Sequence, residues 1–134
     1  MTGYVLVVDD DLMDRKLIDR ALKQSGHDVR ISSVRDGVEA LEELRAGPRP
    51  DLLLIDLNMP RMSGRDLLES VKRDDALSSI PAIIVSTSDD MSDIADCYHL
   101  RANAYVTKPD TAAGYRDLGQ SLMSFWFGSA RLPH

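Results

Sequence analysis

A chain of 134 residues, 43% apolar and 28% charged, suffices for one globular domain that buries a core without disulfides or structural metal. Its net charge of −6 argues against nucleic acid as a direct partner, because phosphate binding needs a basic surface. The lone Cys97 excludes an intrachain disulfide, no apolar run reaches membrane-spanning length and no basic leader precedes Tyr4, so a cytoplasmic location is expected.

Tyr4-Val5-Leu6-Val7-Val8 reads as a first buried strand, and Asp9-Asp10-Asp11 follows at once. Met13, Leu17, Ile18, Ala21 and Leu22 keep helical spacing; Asp11 with Asp14 resembles a capping box, and Gly26 supplies the stop. Val29, Ile31 and Val34 suggest a weaker second strand, and Asp36 opens a helix that Gly47-Pro48 closes. The chain is then organised around Leu52-Leu53-Leu54-Ile55, an aliphatic run of the kind buried on both faces of a parallel sheet. It ends in Asp56, and Pro60 forbids its continuation.

Gly64 to Lys72 gives a third helix with Leu67, Leu68 and Val71 inward. Ala82 to Val85 is a fourth strand, followed by Ser86-Thr87-Ser88; Asp89 or Asp90 then caps a short helix through Ile94, Ala95 and Tyr98. Ala104-Tyr105-Val106 is a fifth strand closed by Thr107-Lys108-Pro109. Asp110 or Thr111 caps a last helix with Tyr115, Leu118, Leu122 and Phe125 on one face. Alternating strands and helices with short connections predict an α/β fold, a doubly wound five-stranded parallel sheet forming a single domain over 1–134, with a tail from about 125.

In such a sheet the carboxyl ends of the strands share one edge, where open α/β folds keep their ligand sites. Here those ends carry Asp9 and Asp10, Asp56, Ser86 and Lys108. Two carboxylates about 4 Å apart repel by roughly 4 kcal/mol at an effective dielectric near 20, so the cluster must hold a proton, a lysine or a cation. An all-oxygen donor set suits a hard cation, Mg²⁺ first of all. A carboxylate nucleophile, Mg²⁺, an ammonium and a hydroxyl are the equipment of phosphoryl transfer, with the central Asp56 as acceptor.

The ordered pattern Val7-Val8-Asp9-Asp10-Asp11, Leu54-Ile55-Asp56-Leu57-Asn58-Met59-Pro60 with Met62 and Gly64, Val85-Ser86-Thr87 and Tyr105-Val106-Thr107-Lys108-Pro109 resembles the CheY-like receiver domain of two-component response regulators. The resemblance covers nearly the whole chain and implies a flavodoxin-like (βα)5 fold. By it, Asp56 takes a phosphoryl group from a histidine kinase or histidine phosphotransfer protein. Asp9 and Asp10 hold Mg²⁺ with Asp56, and Asn58 contributes its backbone carbonyl. Ser86, with Thr87 beside it, meets the phosphoryl group, Tyr105 swings inward, and Lys108 pairs with the phosphate oxygens across a cis Lys108–Pro109 bond. Two features depart from the family pattern: Arg101 stands where glycine is usual, and Ser86-Thr87-Ser88-Asp89-Asp90 replaces a threonine-alanine pair.

Several residues have simpler readings. Asp11 is a helix cap, His27, His99 and His134 share no ligand spacing and are read as solvated, and Cys97 fills space within a helix. Phe125-Trp126-Phe127 cannot all face one core, since helical neighbours lie about 100° apart. They are interface candidates for a homodimer through the last helix and tail; the alternative is a tail folded back over its own domain. The tail, the Asp93–Tyr98 stretch and the serine-rich loop resemble single-domain regulators paired with phytochrome-type histidine kinases.

The expected function is a non-enzymatic phosphoacceptor switch that signals through protein contacts, without an output domain, a nucleic-acid partner or a membrane partner. An Mg²⁺-dependent aspartyl-nucleophile phosphatase would want an acid where Asn58 stands. A dimerisation module that is never phosphorylated would have no use for the full set of Asp9, Asp10, Asp56, Ser86 and Lys108.

Overall fold

The computed structural model describes residues 2–133; Met1 and His134, with the expectation of a solvated His134, lie outside them. Five strands and five helices alternate: β1 Gly3–Val8, α1 Leu12–Lys23, β2 Val29–Val34, α2 Gly37–Ala46, β3 Leu52–Ile55, α3 Gly64–Arg73, β4 Ala82–Ser86, α4 Met91–His99, β5 Ala104–Thr107 and α5 Ala112–Ser124. All neighbouring strands pair in parallel in the order β2-β1-β3-β4-β5, the doubly wound sheet expected from the alternation.

The aliphatic strands are buried on both faces because successive side chains leave the sheet in opposite directions. Leu6, Val8, Leu53, Ile55, Ala82 and Ile84 enter one core, packed with Leu67, Leu68 and Val71 of α3 and Cys97 of α4. Val5, Val7, Leu52, Leu54, Ile83 and Val85 enter the other, beneath Ile18 and Leu22 of α1 and Tyr115 and Leu122 of α5. The central β3 is therefore fixed from both sides, and so is the side chain that follows it.

Helix starts match the acidic and hydroxyl residues marked in the sequence. Asp11, Asp36, Asp90 and Thr111 each accept hydrogen bonds from the first turn of α1, α2, α4 and α5. Not every residue of the helical patterns is buried. Met13, in the first turn of α1 and beyond the end of the sheet, is 62% exposed. In α4 only Cys97 is buried, while Ala95 and Tyr98 face outward. His27 is half-buried rather than solvated, with Nδ1 shielded and unpaired.

The tail resolves its crowded aromatics by a change of helical phase. Phe125–Ser129 forms one π-helical turn, closed by the Ala130 N–H on the Phe125 carbonyl at 2.7 Å. Phe125, expected on the inner face of α5, is instead 53% exposed, and Gly119 and Met123 are buried in the helix before it. Trp126 and Phe127 pack against the α1/α5 core, and the Phe127 ring lies so close to Gly3 that a Cβ there would collide with it. The tail thus covers its own domain with two rings and leaves one outside.

Candidate functional site

Three side chains leave the carboxyl edge of the sheet, at the ends of β1, β3 and β5. The Asp9 N–H donates to the Val34 carbonyl at 3.1 Å, Asp56 N–H to Val8 at 2.8 Å and Lys108 N–H to Ser86 at 2.7 Å, so each residue is the last one held by the strand ladder. The chain turns immediately after Asp9, bringing Asp10 to the same side. Carboxylate oxygens of Asp9, Asp10 and Asp56 lie within 4.8 Å of one another. Asp9 and Asp56 are buried and Asp10 is exposed, so the cluster opens to solvent on one side.

Lys108 closes the cluster. Its ammonium stands 3.0 Å from Asp9 Oδ2 and 3.3 Å from Asp56 Oδ1, and 2.8 Å from Asp14 Oδ2. The Asp11 N–H orients Asp9 by donating to its Oδ1 at 2.9 Å. Burial, and then the charge of Asp9, push the Asp56 carboxyl up to about 7 despite the nearby ammonium. Burial also raises Asp9, against the Asp11 N–H and Lys108. Burial works to lower Lys108, but its bonds to Asp14 and Asp9 and the charges of Asp56 and Asp9 outweigh that and hold the ammonium above its ordinary range.

Acid outnumbers base at this edge, and every donor is a carboxylate oxygen. Residues of that kind fit a hard divalent cation, which would relieve the repulsion that raises Asp56. Beside Asp10 an open cleft of about 390 Å³ is lined by Arg35, Asp36, Pro60 and Arg61. Asn58 lies exposed in the loop after Asp56, and Thr87 is exposed in the loop after β4.

The hydroxyl and aromatic candidates are joined through Ser88. Ser86 is fully buried, and its Oγ accepts the Ser88 N–H at 3.1 Å. The Tyr105 hydroxyl donates to the Ser88 carbonyl at 2.7 Å, which turns the half-buried ring inward. The Ser88 hydroxyl donates to Asp93 Oδ2 at 2.6 Å, and Asp93 is ion-paired to Arg65 of α3.

The Lys108–Pro109 bond, expected to be cis, is trans, as are all peptide bonds among the described residues. Trans is the intrinsically favoured X–Pro isomer by about 0.5–1 kcal/mol. In that isomer Lys108 already keeps both its ladder bond to Ser86 and its place among the acids.

Sequence reasoning missed four partners. Asp14, read as half of a capping box, turns its carboxylate to Lys108 and to the Tyr115 hydroxyl at 3.3 Å. Arg61 adopts φ 64° and sends two N–H groups to Asp36 Oδ2 at 2.8 Å, tying the loop after Asp56 to the start of α2. Arg65 reaches across to Asp93. Lys72 buries its ammonium against Asn103 Oδ1 at 3.1 Å and the Ser78 and Ile80 carbonyls at 3.2 and 3.3 Å. Arg101, at the family's glycine position, has φ 72° and donates to the Lys72 carbonyl at 2.6 Å. An acid one helical turn beyond Asp10 was the only visible hint of Asp14; the side-chain pairs Arg61–Asp36, Arg65–Asp93 and Lys72–Asn103 join residues 25 to 31 positions apart, which spacing does not reveal.

Comparison with known proteins gives consistent relatives. Residues 5–116 match the response regulator receiver domain family. The response regulator Rcp1 of Synechocystis sp. is 33% identical over 135 residues, covering 96% of this chain and 92% of that protein. The crystal structure of the phosphorylated cyanobacterial phytochrome response regulator RcpA superposes with a TM-score of 0.95 at 35% identity, over 100% of both chains. The Mn²⁺-bound form of Rcp1 gives a TM-score of 0.91 at 33% identity, over 98% of this chain and 99% of that one.

Proposed function

Since the chain belongs to the response regulator receiver domain family, a component of two-component signalling, we propose that Asp56 accepts a phosphoryl group from a histidine kinase or histidine phosphotransfer protein. The observation that carries this reading is the buried Lys108 ammonium shared between Asp9 and Asp56 beside the exposed Asp10. In the transfer, the donor histidine's N–P bond breaks with its electron pair going to nitrogen, and a bond forms between phosphorus and an Asp56 oxygen. Asp56 must be ionised to attack, and Lys108 is placed to take a phosphoryl oxygen as its Asp56 contact is given up.

Asp9, Asp10 and Asp56, with the Asn58 backbone carbonyl, would hold Mg²⁺, which supplies charge neutralisation at the transferring group when bound. Ser86, which ends β4 beside β3, would serve the phosphoryl group with its hydroxyl, with Thr87 adjacent. The Ser86 Oγ already accepts the Ser88 N–H, so a movement of the hydroxyl toward the phosphoryl group would reach Tyr105 through the Ser88 carbonyl. The cleft beside Asp10 offers an approach for the donor. A phosphatase of the aspartyl-nucleophile kind lacks its second acid, because position 58 is asparagine.

The partner we infer is a phytochrome-type histidine kinase, supported by the likeness to RcpA and Rcp1 over nearly the full length of each. The exposed Phe125 favours a homodimer through α5 and the tail. We place the single domain in the cytoplasm; among the described residues no helix is long and apolar enough to cross a membrane.

The test is intact-protein mass after incubation with acetyl phosphate and Mg²⁺, beside Asp56→Asn. One added phosphate in the wild type alone, lost with EDTA, is the expected result. No adduct in the wild type, with no phosphate released from acetyl phosphate, would overturn the reading.

A further inference from the structure

The Lys108 ammonium has three N–H donors, and three different carboxylates stand within reach of it: Asp14 at 2.8 Å, Asp9 at 3.0 Å and Asp56 at 3.3 Å. Two of these acids belong to the proposed phosphoacceptor and cation site. The third, Asp14, does not, yet it makes the shortest contact. Its other oxygen accepts the Tyr115 hydroxyl at 3.3 Å. Tyr115 is only 5% exposed and sits in the α1/α5 core.

We propose that Asp14 is a positioning residue that joins Lys108 to Tyr115, so that an exchange of ion-pair partners at Asp56 is felt on α5. The proposal rests on Asp56 being the phosphoacceptor. When a phosphoryl group arrives and a cation draws on Asp9 and Asp56, two of the three contacts of Lys108 change. Asp14 is the partner that can stay. It holds the long lysine side chain near its place while Nζ moves toward a phosphoryl oxygen.

Movement of Nζ alters the pull on Asp14, whose second oxygen is already bonded to α5. A rotation of one carboxylate therefore changes the Tyr115 hydrogen bond without any shift of α1 itself. This route is separate from the one through Ser86, Ser88 and Tyr105, because it runs on the opposite face of the sheet.

The experiment uses the full chain carrying 3-fluorotyrosine, with beryllofluoride and Mg²⁺ as a phosphoryl mimic, read by ¹⁹F NMR. The four tyrosine resonances are assigned by single Tyr→Phe variants. The same spectrum reports bound fluoroberyllate. In the wild type, bound fluoroberyllate should appear and the Tyr115 resonance should move with it. In Asp14→Asn at saturating beryllofluoride, the Tyr115 displacement should fall to less than half. Asp14→Glu, which keeps the charge, should restore part of it.

Equal Tyr115 displacement in the wild type and Asp14→Asn would overturn the proposal. So would a wild-type Tyr115 resonance that stays in place while fluoroberyllate binds, and that result needs no variant to fold. Absence of bound fluoroberyllate from the wild type would remove the phosphoacceptor reading, and this proposal with it.

Discussion

The hydroxyl of Tyr105 donates to the carbonyl of Ser88 at 2.7 Å, linking the last strand to the loop that follows Ser86. Ser88 is held in turn by Asp93, so the inward ring depends on a carboxylate from α4. Removing the hydroxyl in Tyr105→Phe should cost about 0.5–1.5 kcal/mol by urea unfolding, the ordinary net value of one hydrogen bond. Asp93→Asn keeps the shape but removes the ion pair with Arg65, and should loosen the ring further. Amide exchange of Ser88 is the direct measure; unchanged protection in Asp93→Asn would contradict the linkage.

Cation-free protein should lose stability as pH rises from about 4 to about 7. Asp56 is raised from 3.8 to about 7 when folded, so across that window the folded state holds a proton that the unfolded state has released. The folded form is then favoured at the acidic end, and this contribution is gone above about pH 7. Thermal midpoints in EDTA should fall more steeply with pH for the wild type than for Asp56→Asn. Saturating Mg²⁺ should flatten the wild-type curve. Parallel curves for the two proteins would rule out a raised Asp56.

Arg101 tests how a left-handed backbone and a side-chain bond offset each other. A non-glycine residue at φ 72° costs about 1–2 kcal/mol, while the bond from its guanidinium to the Lys72 carbonyl is worth a similar amount. Arg101→Gly should therefore change stability by less than about 1 kcal/mol. Arg101→Ala keeps the backbone cost and loses the bond, so it should fall below the glycine variant by about 1 kcal/mol or more. Equal urea midpoints for Ala and Gly would show that the backbone at this position is not strained.

Gly64 should tolerate nothing larger. A Cβ there would overlap the carbonyl oxygen of Asp56 and come within 2.8 Å of Leu57 Cα, backbone atoms that cannot swing aside. Gly64→Ala should cost about 3 kcal/mol or more, and should displace Asp56 enough to slow adduct formation with acetyl phosphate. A variant with wild-type stability and rate would mean that the loop after β3 moves freely.

The aromatic tail separates folding from association. Phe127→Ala should destabilise the monomer by roughly 1–3 kcal/mol, because a half-buried ring leaves the surface over β1. Phe125→Ala should change stability by less than about 0.5 kcal/mol, since the ring is largely in water. If the chain forms the proposed dimer, Phe125→Glu should shift its mass by light scattering from dimer to monomer. A wild type that is monomeric at micromolar concentration would remove that proposal.

The alternation of strands and helices, the two-sided burial of β3 and the meeting of Asp9, Asp10, Asp56 and Lys108 at one edge were legible because they follow from period-two burial and chain order. Those rules act locally and repeat. The tail was not legible in detail, because the π turn after Ser124 shifts the phase and a regular period placed Phe125 inside. Asp14 was hidden for another reason. Its spacing from Asp11 suits a capping box, and only the fold, which brings Lys108 94 positions later to the same place, gives its carboxylate different work.

Trp126 is the only tryptophan in the chain, half-buried over the α1/α5 core with the exposed Phe125 ring edge-on at 5.0 Å. The tail therefore carries its own optical reporter. Undocking it would put the indole into water and shift its emission to the red, whereas a second copy settling on Phe125 would shield it and shift the emission to the blue. The two events that compete for this segment would thus differ in colour, with no label attached.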